Sequence, residues 1–176
     1  ARTLQLFTFM GKFIAKAMLD NRLVDLPLSA TLYRQLLGFE MTISDLEEVH
    51  PQLGLTLRKL LRLAHKRTAI LRAGAKPADA SSALAALTLD GADVGDLGLD
   101  FTLPGQPEVE LVPDGANKDV TLENVGEYAQ RVLDVFLCEG VRAQVAAFRK
   151  GFSTVFPVEK LAAFSTDELD GKRFPD

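Results

Sequence analysis

Apolar residues recur at steps of three and four through residues 4–19, where Leu4, Phe7, Met10, Ile14, Ala17 and Met18 share one face and Phe9 and Phe13 widen it. That spacing predicts a helix with most of its surface buried. Leu23 to Leu28 then reads as an extended connection, because Pro27 restricts the residue before it. Ser29 is placed to cap a second helix carrying Leu32, Tyr33, Leu36 and Leu37, with Gly38 at its C-terminal end. Ser44 opens a short acidic helix, Asp45 to Val49, which His50-Pro51 ends.

A longer helical pattern runs from Gln52 to Ala73, with Leu53, Leu57, Leu60, Leu61 and Ala64 in one stripe and Gly74 and Pro77 beyond its end. The small, polar stretch 75–82 predicts a loop or mobile link. After it the period changes. Leu97, Leu99, Phe101 and Leu103 alternate with Gly98, Asp100 and Thr102, the signature of a half-buried strand. Pro104-Gly105 turns the chain into a second strand with Val109 and Leu111, and Asp114-Gly115 turns it again. Asn124 with Glu127 resembles a capping box, before a helix with Val125, Tyr128, Ala129, Val132 and Phe136 on one face. Gly140 ends that helix, a further one covers 141–150 before Gly151-Phe152 breaks it, and Phe156-Pro157 leads into a short helix near Phe164. Ser165 with Glu168 repeats the capping-box pattern. The order is α+β and mainly helical: helices at both ends around a small helix-and-hairpin insertion over about 50–123.

Charge alters this picture at one place. Lys and Arg at 58, 59, 62, 66, 67, 72 and 76 form a run with no acid between His50 and Asp79, whereas twelve acids and only Lys118 and Arg131 lie between Asp90 and Glu139. The two segments are placed to neutralise each other, so the basic run reads as a solvated helix face rather than a nucleic-acid patch. The whole chain, 176 residues with a formal net charge of −4, also argues against a general nucleic-acid binder. No apolar stretch is long enough for a membrane span and no signal peptide precedes the first helix, so an intracellular location, cytoplasmic or nuclear, is expected.

Chemistry is sparse. His50 and His65 do not form a zinc spacing, so no metal or cofactor is expected. Cys138 lies in an apolar helical run without a cationic neighbour to depress its pKa, which predicts a packed structural cysteine. The pairs Glu47/Glu48 and Asp167/Glu168 suit helix starts and charged faces, and no nucleophile or phosphate-binding motif occurs. No catalytic residue is readable.

Whole phrases carry more. Met10-Gly-Lys-Phe-Ile-Ala-Lys-Ala-Met18, Asp20-Asn-Arg-Leu-Val-Asp-Leu-Pro-Leu28, Leu97-Gly-Leu-Asp-Phe-Thr-Leu-Pro-Gly105 and Phe148-Arg-Lys-Gly-Phe152 resemble the N-lobe of HECT ubiquitin ligases, most of all the ubiquitin-fusion-degradation branch that includes plant ligases. The resemblance extends over nearly all of residues 4–170. It implies a large helical part over 1–49 and 124–176 and a small subdomain over 50–123 that docks a ubiquitin-conjugating enzyme. It further implies that an apolar groove there receives an aromatic side chain and uses Leu53, Leu57, Leu60, Asp96, Leu97, Leu99 and Tyr128. Leu53, Leu57 and Leu60 fall on one helix face, as a groove needs, yet the same spacing serves a core.

The resemblance also implies ubiquitin as a partner and acyl transfer through a cysteine of a C-lobe. That lobe and its Thr-Cys motif are absent here, so the chain is expected to be inactive alone. Relatives continue where this chain reads Gly171-Lys-Arg-Phe-Pro-Asp176, and their N-lobe starts upstream of Ala1, which is expected to leave Phe7, Phe9 or Phe13 exposed. Two alternatives stand beside this reading: a non-catalytic helical module that competes for conjugating enzymes, and a nonfunctional truncation.

Overall fold

The computed structural model describes residues 2–20, 29–74 and 76–157, which pack as two units: Ala1–Asp45 with Phe136–Asp176, and Leu46–Val135. The expected extended connection at 23–28 and the short helices expected near Phe164 and Ser165 lie outside the described residues.

The first unit is built on two helices from opposite ends of the chain, α1 (Arg2–Leu19) and α7 (Arg142–Ser153). They touch backbone to backbone. A Cβ on Gly11 would strike the Phe148 carbonyl oxygen, and one on Gly151 the Thr8 carbonyl oxygen. Gly151 therefore does not break α7, as its helix propensity suggests; it lets α7 continue past α1 at a distance no larger side chain permits. Ala15, Leu36, Phe148 and Phe152 form the core here, with Phe7, Ile14 and Leu32 packed against it.

Helix α2 (Ala30–Leu37) joins that core and is capped as its sequence predicts. Ser29 Oγ accepts the Leu32 N–H at 3.2 Å, and Gly38 takes the left-handed conformation at φ 78°. The short helix α3 (Ile43–Val49) starts one residue before the expected Ser44 cap. Asp45 reaches back instead, accepting the Thr42 N–H and hydroxyl at 2.7 Å each and pairing with Arg34 at 2.9 Å. This is the carboxylate half of a capping box.

The opposite face of α1 is not buried. Phe9 is 63% exposed and Phe13 50%, their rings stacked at 6.2 Å, with Leu6 and Met10 beside them in the helix. The mostly buried helix expected from the sequence is half correct, since Gly11, Ala15 and Ala17 are buried and Phe7 and Ile14 half-buried. A contiguous apolar face of this kind drives association. Replacing Phe9 and Phe13 together by serine is expected to weaken self-association of the isolated chain at least several-fold. Sedimentation velocity over a concentration series checks this, and unchanged behaviour refutes it.

The second unit holds α4 (Pro51–Arg72), α5 (Pro77–Ala85), a two-stranded antiparallel sheet of β1 (Thr102–Leu103) and β2 (Gln106–Glu110), and α6 (Val125–Asp134). Three expectations are corrected here. From Pro77 on, the stretch expected to be a loop is helical, because Pro77 starts α5 at a position that has no need of an N–H. The long first strand shrinks to β1, preceded by a 3₁₀ turn over Gly95–Leu97 and a bridge from Asp100 to Asp119. Asn124 and Glu127 form no capping box, since Asn124 Oδ1 accepts the Thr121 N–H at 2.8 Å and Glu127 binds Lys118.

Helix α6 belongs to this unit rather than to the outer helical part, because it packs along α4. Its buried side chains, Val125, Tyr128, Ala129, Val132 and Leu133, keep a clean helical spacing.

Candidate functional site

All seven site residues singled out from the sequence lie in the second unit. Three arise on or against α4. His50 caps this helix, its Nδ1 accepting the Leu53 N–H at 3.4 Å, and Pro51 supplies the first turn. Gly54 lets the helix start close to α3, since a Cβ there would come within 2.5 Å of Glu47 Cγ. The next turns run straight inward. Leu57 is 1% exposed and Leu60 0%, so both fill the core instead of lining a groove, while Leu53, one turn earlier, is half-buried.

Asp96, Leu97 and Leu99 sit on an irregular segment held at several points. Asp93 Oδ1 accepts the Gly95 N–H at 3.2 Å, which starts the 3₁₀ turn, and Gly98 ends it in the left-handed conformation at φ 61°. The Leu99 carbonyl then accepts the Val120 N–H at 2.8 Å. Such fixing of a loop between backbone anchors is what lets exposed side chains keep one arrangement. Asp96 is exposed, and Leu97 and Leu99 are half-buried.

Two residues beyond this segment comes Phe101, which alternation alone marks only as one strand residue among four. It is fully buried; its N–H points to the Gly115 and Lys118 carbonyls at 3.0 and 3.1 Å, and its own carbonyl accepts the Leu111 N–H at 2.8 Å. The Tyr128 ring meets it edge to face at 5.6 Å, and Lys118 Nζ lies 3.9 Å from its ring centroid. Tyr128 is 2% exposed. Burial, and after it the charge of Asp100, push its phenol up to about 12, so it stays neutral at physiological pH. The aromatic pair is thus a fixed internal wedge. Of the seven residues, Leu57, Leu60 and Tyr128 are buried, and Leu53, Asp96, Leu97 and Leu99 reach solvent.

Among the described residues no group of His, Cys, Asp and Glu could hold a metal ion, and no helix is long and apolar enough to cross a membrane. Cys138, in the first unit, is exposed, contrary to the packed cysteine expected. A π turn over Val135–Glu139 explains the difference: it widens the helix beyond 3.6 residues per turn, so Leu137 is buried in its place.

The profile of the HECT-domain (ubiquitin-transferase) family matches residues 2–171. E3 ubiquitin-protein ligase UPL4 of Arabidopsis thaliana is 38% identical over 167 residues, covering 95% of this chain and 11% of its own length. E3 ubiquitin-protein ligase TRIP12 of Danio rerio is 39% identical over 167 residues, 93% of this chain and 8% of its own. Ubiquitin fusion degradation protein 4 of Saccharomyces cerevisiae is 31% identical over 180 residues, 96% and 10% respectively. The chain therefore spans about a tenth of the length of these relatives.

Proposed function

Because this chain belongs to the HECT-domain (ubiquitin-transferase) family, we propose that its second unit docks a ubiquitin-conjugating enzyme through Leu53, Asp96, Leu97 and Leu99. Leu57, Leu60, Phe101 and Tyr128 are buried in the same unit. The observation that carries this reading is the pairing of partly exposed leucines with a segment locked by the Asp93, Gly98 and Val120 contacts. Preformed apolar positions of this kind bind an incoming aromatic side chain without first being ordered. In the complete ligase, the docked enzyme's thioester passes ubiquitin to a ligase cysteine by thiol exchange, releasing the enzyme's thiol. A substrate lysine amine then takes the acyl group. The same reading places the protein inside the cell, in cytoplasm or nucleus, where conjugation proceeds.

Leu97→Ala is expected to weaken binding to a conjugating enzyme at least five-fold, in the range of about 1–3 kcal/mol for a central contact residue. Asp96→Ala should weaken it less. Arg62→Ala should change little, since residue 62 lies about two and a half turns beyond Leu53 on α4 and so on its opposite face. Calorimetric titration with an enzyme carrying ubiquitin through a stable ester measures this, with melting temperature as the check on folding. Equal binding by parent and Leu97→Ala, both folded, would discard the docking assignment.

A further inference from the structure

The basic run on α4 divides into two sets. Arg58 pairs with Glu47, Lys59 with Asp90 at 2.7 Å, and Arg67 with Glu123 at 3.9 Å. Arg62, Lys66 and Arg72 are not so matched: they are exposed, and make no ion pair or side-chain hydrogen bond among the described residues. With 3.6 residues per turn these three project from one side of α4, and His65 falls on the same side. The chain's formal charge is −4 overall, so a row of unmatched cations is a local reversal of its field.

We propose that Arg62, Lys66 and Arg72 form a docking strip for an acidic, extended segment of another polypeptide. Spacing supports it. Residues 62 and 66 are separated by about 6 Å of helix rise, and an extended chain repeats a side chain on one face every 6.6–6.8 Å or so. Carboxylates on alternate residues therefore meet Arg62 and Lys66, and Arg72 lies about 9 Å further along the helix. The strip from 62 to 72 extends about 15 Å, room for four or five such residues.

The chemistry of the surroundings selects a slim peptide over a nucleic acid. Helix α4 carries no Phe, Tyr or Trp, so unpaired bases find no ring to stack on. The Asp90 and Glu123 side chains are largely exposed, and through Lys59 and Arg67 they stand beside the strip. Their charge disfavours the dense phosphates of a duplex more than a peptide that carries one carboxylate every second residue. The strip is separate from Leu53, which faces the other side of α4, so the two surfaces can be tested apart.

The experiment uses the full chain and three labelled probes: a decapeptide alternating Glu and Ser, a twelve-base-pair DNA duplex and a twelve-nucleotide uridine RNA. Fluorescence anisotropy is read at 50 and 150 mM salt. The peptide is expected to bind more tightly than either nucleic acid, and to weaken with salt. Arg62→Glu with Lys66→Glu should reduce its affinity at least ten-fold without moving the melting temperature by more than a few degrees. Should that pair fail to fold, Arg62→Gln and Lys66→Gln singly are each expected to weaken binding two- to three-fold. Absence of peptide binding, equal binding by the folded variants, or tighter binding of either nucleic acid overturns the proposal.

Discussion

Gly151→Ala is expected to destabilise the first unit by about 3 kcal/mol, and Gly11→Ala by a similar amount, at the upper end of the range for overpacked cores. The reason is the identity of the atoms in the way. At position 151 a new methyl meets the Thr8 carbonyl oxygen, with Thr8 Cα 3.0 Å off; at position 11 it meets the Phe148 carbonyl and the Phe152 nitrogen at 2.8 Å. Backbone atoms within a helix cannot rotate aside as a side chain can, so α1 and α7 must separate along their shared length. That separation also loosens Ala15, Phe148 and Phe152, whose packing is the unit's core. The two substitutions share one contact, so the double variant should lose less than the sum. Gly95→Ala serves as the control, because a Cβ there meets nothing within 4 Å and the position needs no left-handed backbone. Urea denaturation followed by circular dichroism reads all four variants beside the parent. A parent-like midpoint for Gly151→Ala would mean that the helices do not meet at this glycine.

Leu57→Ala should lower stability by about 2–5 kcal/mol, the span observed for leucines in well-packed cores. Leu57 lies on the face of α4 that packs toward α6, and at 1% exposure it has no surface to offer a partner. Any loss of conjugating-enzyme binding in this variant should therefore follow its unfolding transition, whereas that of Leu97→Ala should appear in fully folded protein. Leu57→Met keeps volume and apolarity and should retain both stability and binding to within about 1.5 kcal/mol. Thermal melts paired with titrations below the transition make the comparison. A Leu57→Ala protein that melts like the parent yet binds poorly would return Leu57 to the docking surface.

Those two residues illustrate what a linear pattern conveys. Leu53, Leu57 and Leu60 share a face in any helix, but whether that face meets solvent depends on α6, more than sixty positions away. Local signals did better at α2 than at Ser44 or Asn124, whose expected caps do not form. Ser29 and Gly38 bound α2 as read, since capping is decided within a few residues. Helix α5 escaped because none of its described side chains is fully buried, leaving no stripe to detect, and its alanines and serines look like a linker. Leu97 and Leu99 match strand alternation by coincidence with a 3₁₀ turn, whereas Phe101 and Leu103 keep it because they do face inward. Gly151 misled through its propensity, because the close approach it permits is set by Thr8 at the far end of the chain. Cys138 was displaced by the π turn, an extra residue in a helical turn that no periodicity of 3.6 anticipates.

The meeting of α1 with α7 also imposes a schedule on synthesis. Phe148 is translated roughly 7–30 s after its neighbour Gly11 at usual elongation rates of about 5–20 residues per second. Leu46–Val135 is continuous in sequence and carries its own long-range pairs, so it can fold on the ribosome during that interval. Helix α1 cannot, and it waits with Phe7, Phe9 and Phe13 all in water. That wait, rather than any property of the finished fold, is thus when α1 places its greatest demand on chaperones that shield aromatic helices.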